Sequence, residues 1–118
     1  MDQALYKYAA TSRGLNYRYY FAPSINDLPV LLFLHGFPGS SYDWRNLIAY
    51  FQPRGYGIMA PDLLGFGKTD RPSDPQMYKS SAICRDMTDL LDVEQVRTAV
   101  VMGHDWSVLG YPGGVLVC

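Results

Sequence analysis

Histidine and cysteine are scarce in this sequence, two of each among 118 residues, and the formal net charge is −1. These shortages exclude several functions. His35, His104, Cys84 and Cys118 show none of the paired spacings that gather metal ligands, so no metal site is expected. Two cysteines are too few for a disulfide framework and fit reduced thiols in a cytoplasm. Cys118 is the last residue and cannot be a prenylation cysteine. Balanced charge, with Lys7, Arg18, Arg45, Lys68 and Arg85 scattered along the chain, gives no footprint for nucleic acid or an acidic membrane. Apolar runs such as 30–34 fall far short of the ~20 residues a spanning helix needs. The start, MDQALYKYAA, carries Asp2 and no long apolar core, unlike a secretory signal. A soluble cytoplasmic protein is expected.

What is present is an ordinary globular composition, 48% hydrophobic and 18% charged, enough for one domain. Residues 5–9 and 15–22 are aromatic-rich stretches around Ser12-Arg13-Gly14, which reads as a hairpin turn. In the second stretch Leu15, Tyr17, Tyr19 and Phe21 share one face, with Asn16 and Arg18 opposite; Tyr20 blurs the alternation. From Pro29 the pattern changes. "PVLLFLHG" is continuously apolar, as in a parallel strand covered on both faces. Trp44, Leu47, Ile48 and Phe51 then follow the spacing of one helical stripe, capped by Ser40 or Ser41 and ended by Pro53 and Gly55. "YGIMAPD" reads as a second buried strand, "LLGFGKTDRPSDPQ" as a loop, Ile83, Met87, Leu90 and Leu91 as a second helical stripe, and "TAVVMG" as a third strand. The expected fold class is α/β: a leading antiparallel hairpin, then three parallel strands alternating with two helices. Chemistry in such sheets sits at the carboxyl ends of the strands, where this sequence places His35-Gly36, 62–67 and 103–105.

"GFGKT", residues 65–69, imitates part of a phosphate-binding loop. That motif needs a glycine at position 62, where Asp62 stands, and a helix starting at once, which Pro72 and Pro75 forbid. No G-x-G-x-x-G occurs, and no cofactor is expected. Gly103-His104-Asp105-Trp106-Ser107 has a better claim. In a nucleophile elbow, small residues flank the reactive one because the strand-to-helix turn is tight, and the next backbone N–H points at the reacting oxygen. Asp105 in that position can attack saturated carbon to form an alkyl ester; from spacing alone it can equally cap a helix or order a turn. Ser107 as nucleophile would need small residues at 105 and 109, where Asp105 and Leu109 stand.

His35-Gly36-Phe37-Pro38, then 61–67 with 69–72, then Gly103-His104-Asp105-Trp106 together resemble the amino-terminal half of an α/β-hydrolase of the soluble, fungal-type epoxide hydrolase group. Haloalkane dehalogenases share the aspartate elbow but typically carry Asn or Glu after His-Gly, where this chain has Phe37. The resemblance implies that Asp105 attacks an epoxide carbon and that the backbone N–H groups of Phe37 and Trp106 form the oxyanion hole. It gives supporting places to His35, Gly36, Pro38, Asp62, Gly65, Gly67, Gly103 and His104, with His35 and Asp62 bracing loops, and makes a small-molecule epoxide the partner.

The same resemblance implies a ring-opening pair of tyrosines on a cap and a later water-activating histidine with its carboxylate, none of which maps onto these residues. The tail departs as well: Ser107 directly follows Trp106, and Pro112, Gly113 and Gly114 fall where a long helix is expected. Residues 1–111 therefore read as a partial α/β-hydrolase domain and 112–118 as an atypical tail, with 100–102 a possible open sheet edge for self-association. These features point to a truncated or altered product that is inactive alone. The alternatives are a non-catalytic binding or pairing module and a haloalkane dehalogenase-like hydrolase.

Overall fold

The sheet is built around the run at residues 30–34. The computed structural model describes residues 2–36, 39–103 and 114–115. Strands β1 (Tyr6–Ala10) and β2 (Asn16–Ala22) form the antiparallel hairpin, with Gly14 at φ +79° in its turn. β3 (Val30–Leu34), β4 (Gly57–Pro61) and β5 (Ala99–Gly103) are mutually parallel, and β6 (Gly114–Val115) runs antiparallel to β5. The order β1-β2-β4-β3-β5-β6 puts β3 at the centre, and β2 joins the parallel part by pairing antiparallel with β4. Helix α1 (Arg45–Phe51) lies between β3 and β4 in the chain, and α2 (Ser80–Val93) between β4 and β5.

Both faces of the sheet are covered. Successive side chains of a strand point to opposite faces, so Val30, Leu32 and Leu34 of β3 pack on one side with Ile83, Met87, Leu90 and Leu91 of α2. Leu31 and Phe33 pack on the other side with Ile48 of α1 and the half-buried Trp44 and Phe51. This two-sided cover explains the blurred alternation of β2. Tyr17, Tyr19 and Phe21 belong to the α2 side, while Tyr20 and Ala22 are buried on the α1 side.

Two details differ from the sequence reading. Leu47 is 41% exposed, so the inward stripe of α1 is Trp44, Ile48 and Phe51 without it. The reason is local: residues Ser41–Trp44 form a 3-10 turn, capped by Ser40 in a capping box with Asp43, and the α-helix begins only at Arg45. A 3-10 turn holds three residues rather than 3.6, which rotates the later positions relative to a single helical projection. The edge expected to be open at 100–102 is paired at Val100 with Val115 and at Val101 with Gly114. Cys84 is buried on α2, and Cys118, the other thiol of the sequence reading, lies outside the described residues. Among the described residues no helix is long and apolar enough to cross a membrane.

Polar contacts fasten the hairpin to α2. Asp86 is fully buried on the apolar face of the helix, where Arg13 donates to both its oxygens, Nε to Oδ1 at 3.0 Å and Nη2 to Oδ2 at 2.5 Å. The Tyr17 hydroxyl donates to Oδ2 at 2.6 Å, and Arg13 Nη1 also reaches the Met77 carbonyl at 3.0 Å. Near the end of α2, Tyr19 donates to Glu94 Oε2 at 2.5 Å, and Lys7 Nζ lies 3.2 Å from each oxygen of the same carboxylate. Removing one partner of a buried ion pair costs more than the pair itself contributes, because the other charge is left without compensation. Asp86→Ala is therefore expected to destabilise the chain by about 3 kcal/mol in urea titration, with Asp89→Ala, a half-buried carboxylate that accepts only from Ser12, costing less.

The same contacts set the alkaline limit. Burial, and then the neighbouring carboxylates, raise the Tyr17 and Tyr19 phenols well above their ordinary value of 10.0, and burial also raises Tyr6 and Tyr20. An unfolded chain loses these protons near pH 10 while the folded chain keeps them, so stability is intact below about pH 10 and falls as pH rises further. Equilibrium unfolding measured against pH is expected to show that decline. Tyr17→Phe is expected to lower stability at neutral pH and to make the alkaline decline shallower.

Candidate functional site

The carboxyl ends of β3, β4 and β5 lead into His35-Gly36, into the segment starting at Asp62, and past Gly103. Leu34 pairs with Gly103 in the parallel register, so β3 and β5 end side by side. At this end lies an open cleft of about 420 Å³, lined by His35, Gly36, Asp43, Trp44, Arg45 and Gly103. The Trp44 ring stacks on Phe33 with centroids 4.8 Å apart, which fixes that wall against the core.

His35 is buried and both its ring nitrogens are engaged. Nε2 accepts from the Leu63 backbone N–H at 2.9 Å, and Nδ1 lies 3.0 Å from the Gly36 carbonyl oxygen. An acceptor at Nε2 and a donor at Nδ1 define one neutral tautomer. With the ring also held edge-on by Phe66 at 5.3 Å, it has no free lone pair with which to activate water.

Asp62 is 1% exposed. Its Oδ1 accepts the Ser41 backbone N–H at 2.9 Å, and its Oδ2 accepts the Lys68 N–H at 3.1 Å. Arg18 Nη1 stands 3.7 Å from Oδ2, an ion pair longer than a hydrogen bond. Thr69 Oγ1 donates to the Asp62 carbonyl at 2.6 Å and accepts the Arg18 backbone N–H at 3.0 Å. The "GFGKT" segment thus turns its Lys68 amide onto a carboxylate of its own chain, the place where a phosphate-binding loop would hold its ligand. Gly67, at φ +55°, passes so close that a Cβ there would lie 2.3 Å from Asp62 Oδ2. Gly65, at φ +87°, passes against the Tyr78 ring in the same way, with a Cβ 3.0 Å from its Cε1.

The structure therefore brings His35, Gly36 and Gly103 to one cleft and places Asp62, Gly65 and Gly67 in the loop after β4. Phe37, Pro38, His104, Asp105 and Trp106 lie outside the described residues. Among the described residues no group of three or more His, Cys, Asp or Glu is placed to hold a metal ion.

The family described as alpha/beta hydrolase fold matches residues 29–107. The chain belongs to that family. It is 42% identical over 86 residues to Epoxide hydrolase 2 of Siraitia grosvenorii, covering 73% of this chain and 27% of that protein. It is 37% identical over 94 residues to Epoxide hydrolase 4 of Mus musculus, covering 80% of this chain and 26% of that one. Among solved structures, an epoxide hydrolase from Vigna radiata superposes with a TM-score of 0.80 at 32% identity, over 90% of this chain and 33% of its own. Epoxide Hydrolase A from Mycobacterium thermoresistibile gives 0.79 at 32% identity, over 88% and 32%. The chain thus spans about a quarter to a third of the length of these hydrolase relatives.

Sequence reading missed Tyr6, Arg18 and Ser41 as neighbours of this region. The Tyr6 hydroxyl lies 2.8 Å from Ser41 Oγ, and the Arg18 guanidinium stands 3.6 Å from the Tyr6 ring centroid. Burial raises the Tyr6 phenol, while the Ser41 hydrogen bond acts the other way. The available signal was Ser41 itself, a small hydroxyl residue at a helix start; nothing local ties it to a strand 35 residues earlier. Gly67→Ala is expected to destabilise the chain by more than about 1 kcal/mol, because it combines a left-handed backbone with displacement of Asp62. Gly14→Ala shares the positive φ but meets nothing within 4 Å, so thermal unfolding should separate the two, with Gly67→Ala melting lower.

Proposed function

We propose that this chain carries the nucleophile-bearing part of an epoxide hydrolase. In this reading Asp105 attacks one carbon of a small-molecule epoxide; a carbon–oxygen ester bond forms as the ring carbon–oxygen bond breaks, and the ring oxygen takes a proton from an acid. Water then attacks the carboxyl carbon of the Asp105 ester and gives up a proton to a base, and the diol leaves as the carboxylate is restored. The N–H groups of Phe37 and Trp106 stabilise the oxyanion of that second step, each worth a few kcal/mol in the transition state. One observation carries the reading. The segments that resemble epoxide hydrolase motifs follow the carboxyl ends of three parallel strands, two of which flank a cleft, in a chain whose relatives bear that name.

Neither His35 nor the pair Tyr17 and Tyr19 is placed to serve as the acid or the base. Both His35 nitrogens are bonded to backbone, and the buried Tyr17 and Tyr19 hydroxyls donate to carboxylates on the far side of the hairpin. These 118 residues are therefore expected to give no multiple turnover alone, in a cytoplasmic setting without nucleic acid or membrane. Phe37 after His35-Gly36 favours an epoxide over a haloalkane.

The test uses a chromogenic epoxide. The chain alone is expected to stay at background. Extended with the cap and histidine segment of an epoxide hydrolase relative, it is expected to turn over, with activity lost in Asp105→Asn. Activity of the extended chain that survives Asp105→Asn would refute the nucleophile. Multiple turnover by the chain alone would refute its dependence on further residues.

A further inference from the structure

We infer that the outer edge of β1 pairs antiparallel with the same edge of a second copy of this chain, about a two-fold axis at Ala9. The pairing is independent of the reaction proposed above. In the order β1-β2-β4-β3-β5-β6 the far side of β5 is taken by β6, while β1 ends the sheet with no strand beyond it among the described residues.

The groups that β1 shows on that side follow from the bonds of β2. Tyr8 stands opposite Arg18, and Ala10 opposite Asn16. The Arg18 N–H donates to Thr69 Oγ1, and the Arg18 carbonyl accepts from the Asp62 N–H. The Asn16 N–H donates to Asp70 Oδ2, and the Asn16 carbonyl accepts from the Asp70 N–H. Both residues thus direct their backbone groups away from β1. In an antiparallel ladder such residues form the non-hydrogen-bonded pairs, and their partners turn away as well. Tyr8 and Ala10 therefore aim their N–H and carbonyl groups out of the sheet, and Lys7 and Ala9 aim theirs at β2. The turn agrees: Thr11, next in the alternation after Ala9, donates its N–H inward to the Leu15 carbonyl.

Proteins blunt exposed edges with prolines, bulges or projecting lysines. The β1 sequence YKYAA has no proline, and its register with β2 runs without a bulge. Its lysine does not project. Lys7 Nζ lies 3.2 Å from both Glu94 oxygens and 5.2 Å from the Phe21 ring centroid, so its charge is compensated within the chain.

A second copy fits because the edge is complementary to itself. With Ala9 on the axis, Tyr8 of each copy exchanges both of its bonds with Ala10 of the other. Ala9 then meets Ala9 of the second copy in a non-hydrogen-bonded pair, where Cα atoms approach to about 4.5 Å and small side chains fit. Lys7 faces Thr11 of the second copy. Centring the pair on Lys7 instead would set two lysines directly opposite one another. It would also call on the Tyr6 N–H, which the Gln3 carbonyl already holds. The Tyr8 ring, 55% exposed, gains cover from Ala10 of the second copy. A strand of five residues is short against the roughly 20–30 residues a side of a standard interface. The dimer is therefore weak and concentration-dependent.

The test is amide hydrogen exchange of the ¹⁵N-labelled full chain over a concentration series, with sedimentation velocity on the same samples. The mass is expected to rise from monomer toward dimer with concentration. The Tyr8 and Ala10 amides are expected to exchange fast in dilute samples and to become protected in step with the mass, while Lys7 and Ala9, bonded to β2 in both states, change little. Ala10→Pro deletes an outward donor at an exposed position and no ladder bond. Two hydrogen bonds per dimer are lost, so association is expected to move to about tenfold higher concentration or more.

A chain that stays monomeric at every concentration overturns the inference, as does a dimer in which Tyr8 and Ala10 exchange as fast as in the monomer. Protection of both amides already in the dilute monomer would show that the chain covers its own edge, and overturns it too. So does association unchanged in Ala10→Pro; if that variant does not fold, exchange in the unaltered chain decides alone. Protection that a monomer gains only on adding a short alternating valine–threonine peptide would give the edge to a foreign strand and overturn the second copy.

Discussion

A carboxylate taken out of water must be paid for in partners, and the buried Asp62 has them on every side. Two backbone amides bind its two oxygens, Arg18 supplies the opposite charge, and its own carbonyl holds Thr69. Desolvating such an ion costs several kcal/mol in a protein interior, and charge-assisted bonds to backbone amides are among the few contacts strong enough to offset that. The arrangement works only where the chain can come close. Gly67 comes so close to the carboxylate that there is no room for a side chain, and the loop 63–70 folds around the acid. The loop after β4, the start of the segment leading to α1 and strand β2 are thereby brought to one point.

The hydrophobic pattern made the sheet legible in advance. Unbroken apolar runs marked β3 and β4 as strands covered on both faces, and the stripe Ile83, Met87, Leu90 and Leu91 marked the inward face of α2. Leu47 was misread because a 3-10 turn precedes α1 and shifts the phase of the helix. The two-residue β6 carries no local signal at all; a strand that short exists through its pairing with β5. Asp86 was legible in principle, since an acid at i+3 in the stripe from Ile83 to Leu90 stands on the buried face and implies a partner. That the partner is Arg13, in a hairpin turn 73 residues earlier, depends on tertiary geometry that no window of sequence contains.

The same division holds at the site. His35, Gly36, Asp62 and the glycines of the following loop stood out as polar and small residues after strands, and they do follow β3 and β4. Their bonds did not stand out. The neutral tautomer of His35 is set by Leu63 and Gly36, and Asp62 reaches back to Ser41 and Arg18. Residue type and spacing point to a place in the fold, whereas the work of each side chain is decided by what another segment brings to it.

The fastening of the hairpin to α2 has a consequence for biosynthesis. Arg13, Tyr17, Tyr19 and Lys7 all find their polar partners 69 to 87 positions downstream, on Asp86 and Glu94. A nascent chain leaves the ribosome amino end first, and contacts of such long sequence separation form late. The hairpin emerges with three aromatic side chains of its inner face and no helix to lay them against. Until Asp86 and Glu94 have followed, that earlier-made piece stays an exposed, sticky ribbon, and its shelter from other nascent chains is a matter of timing.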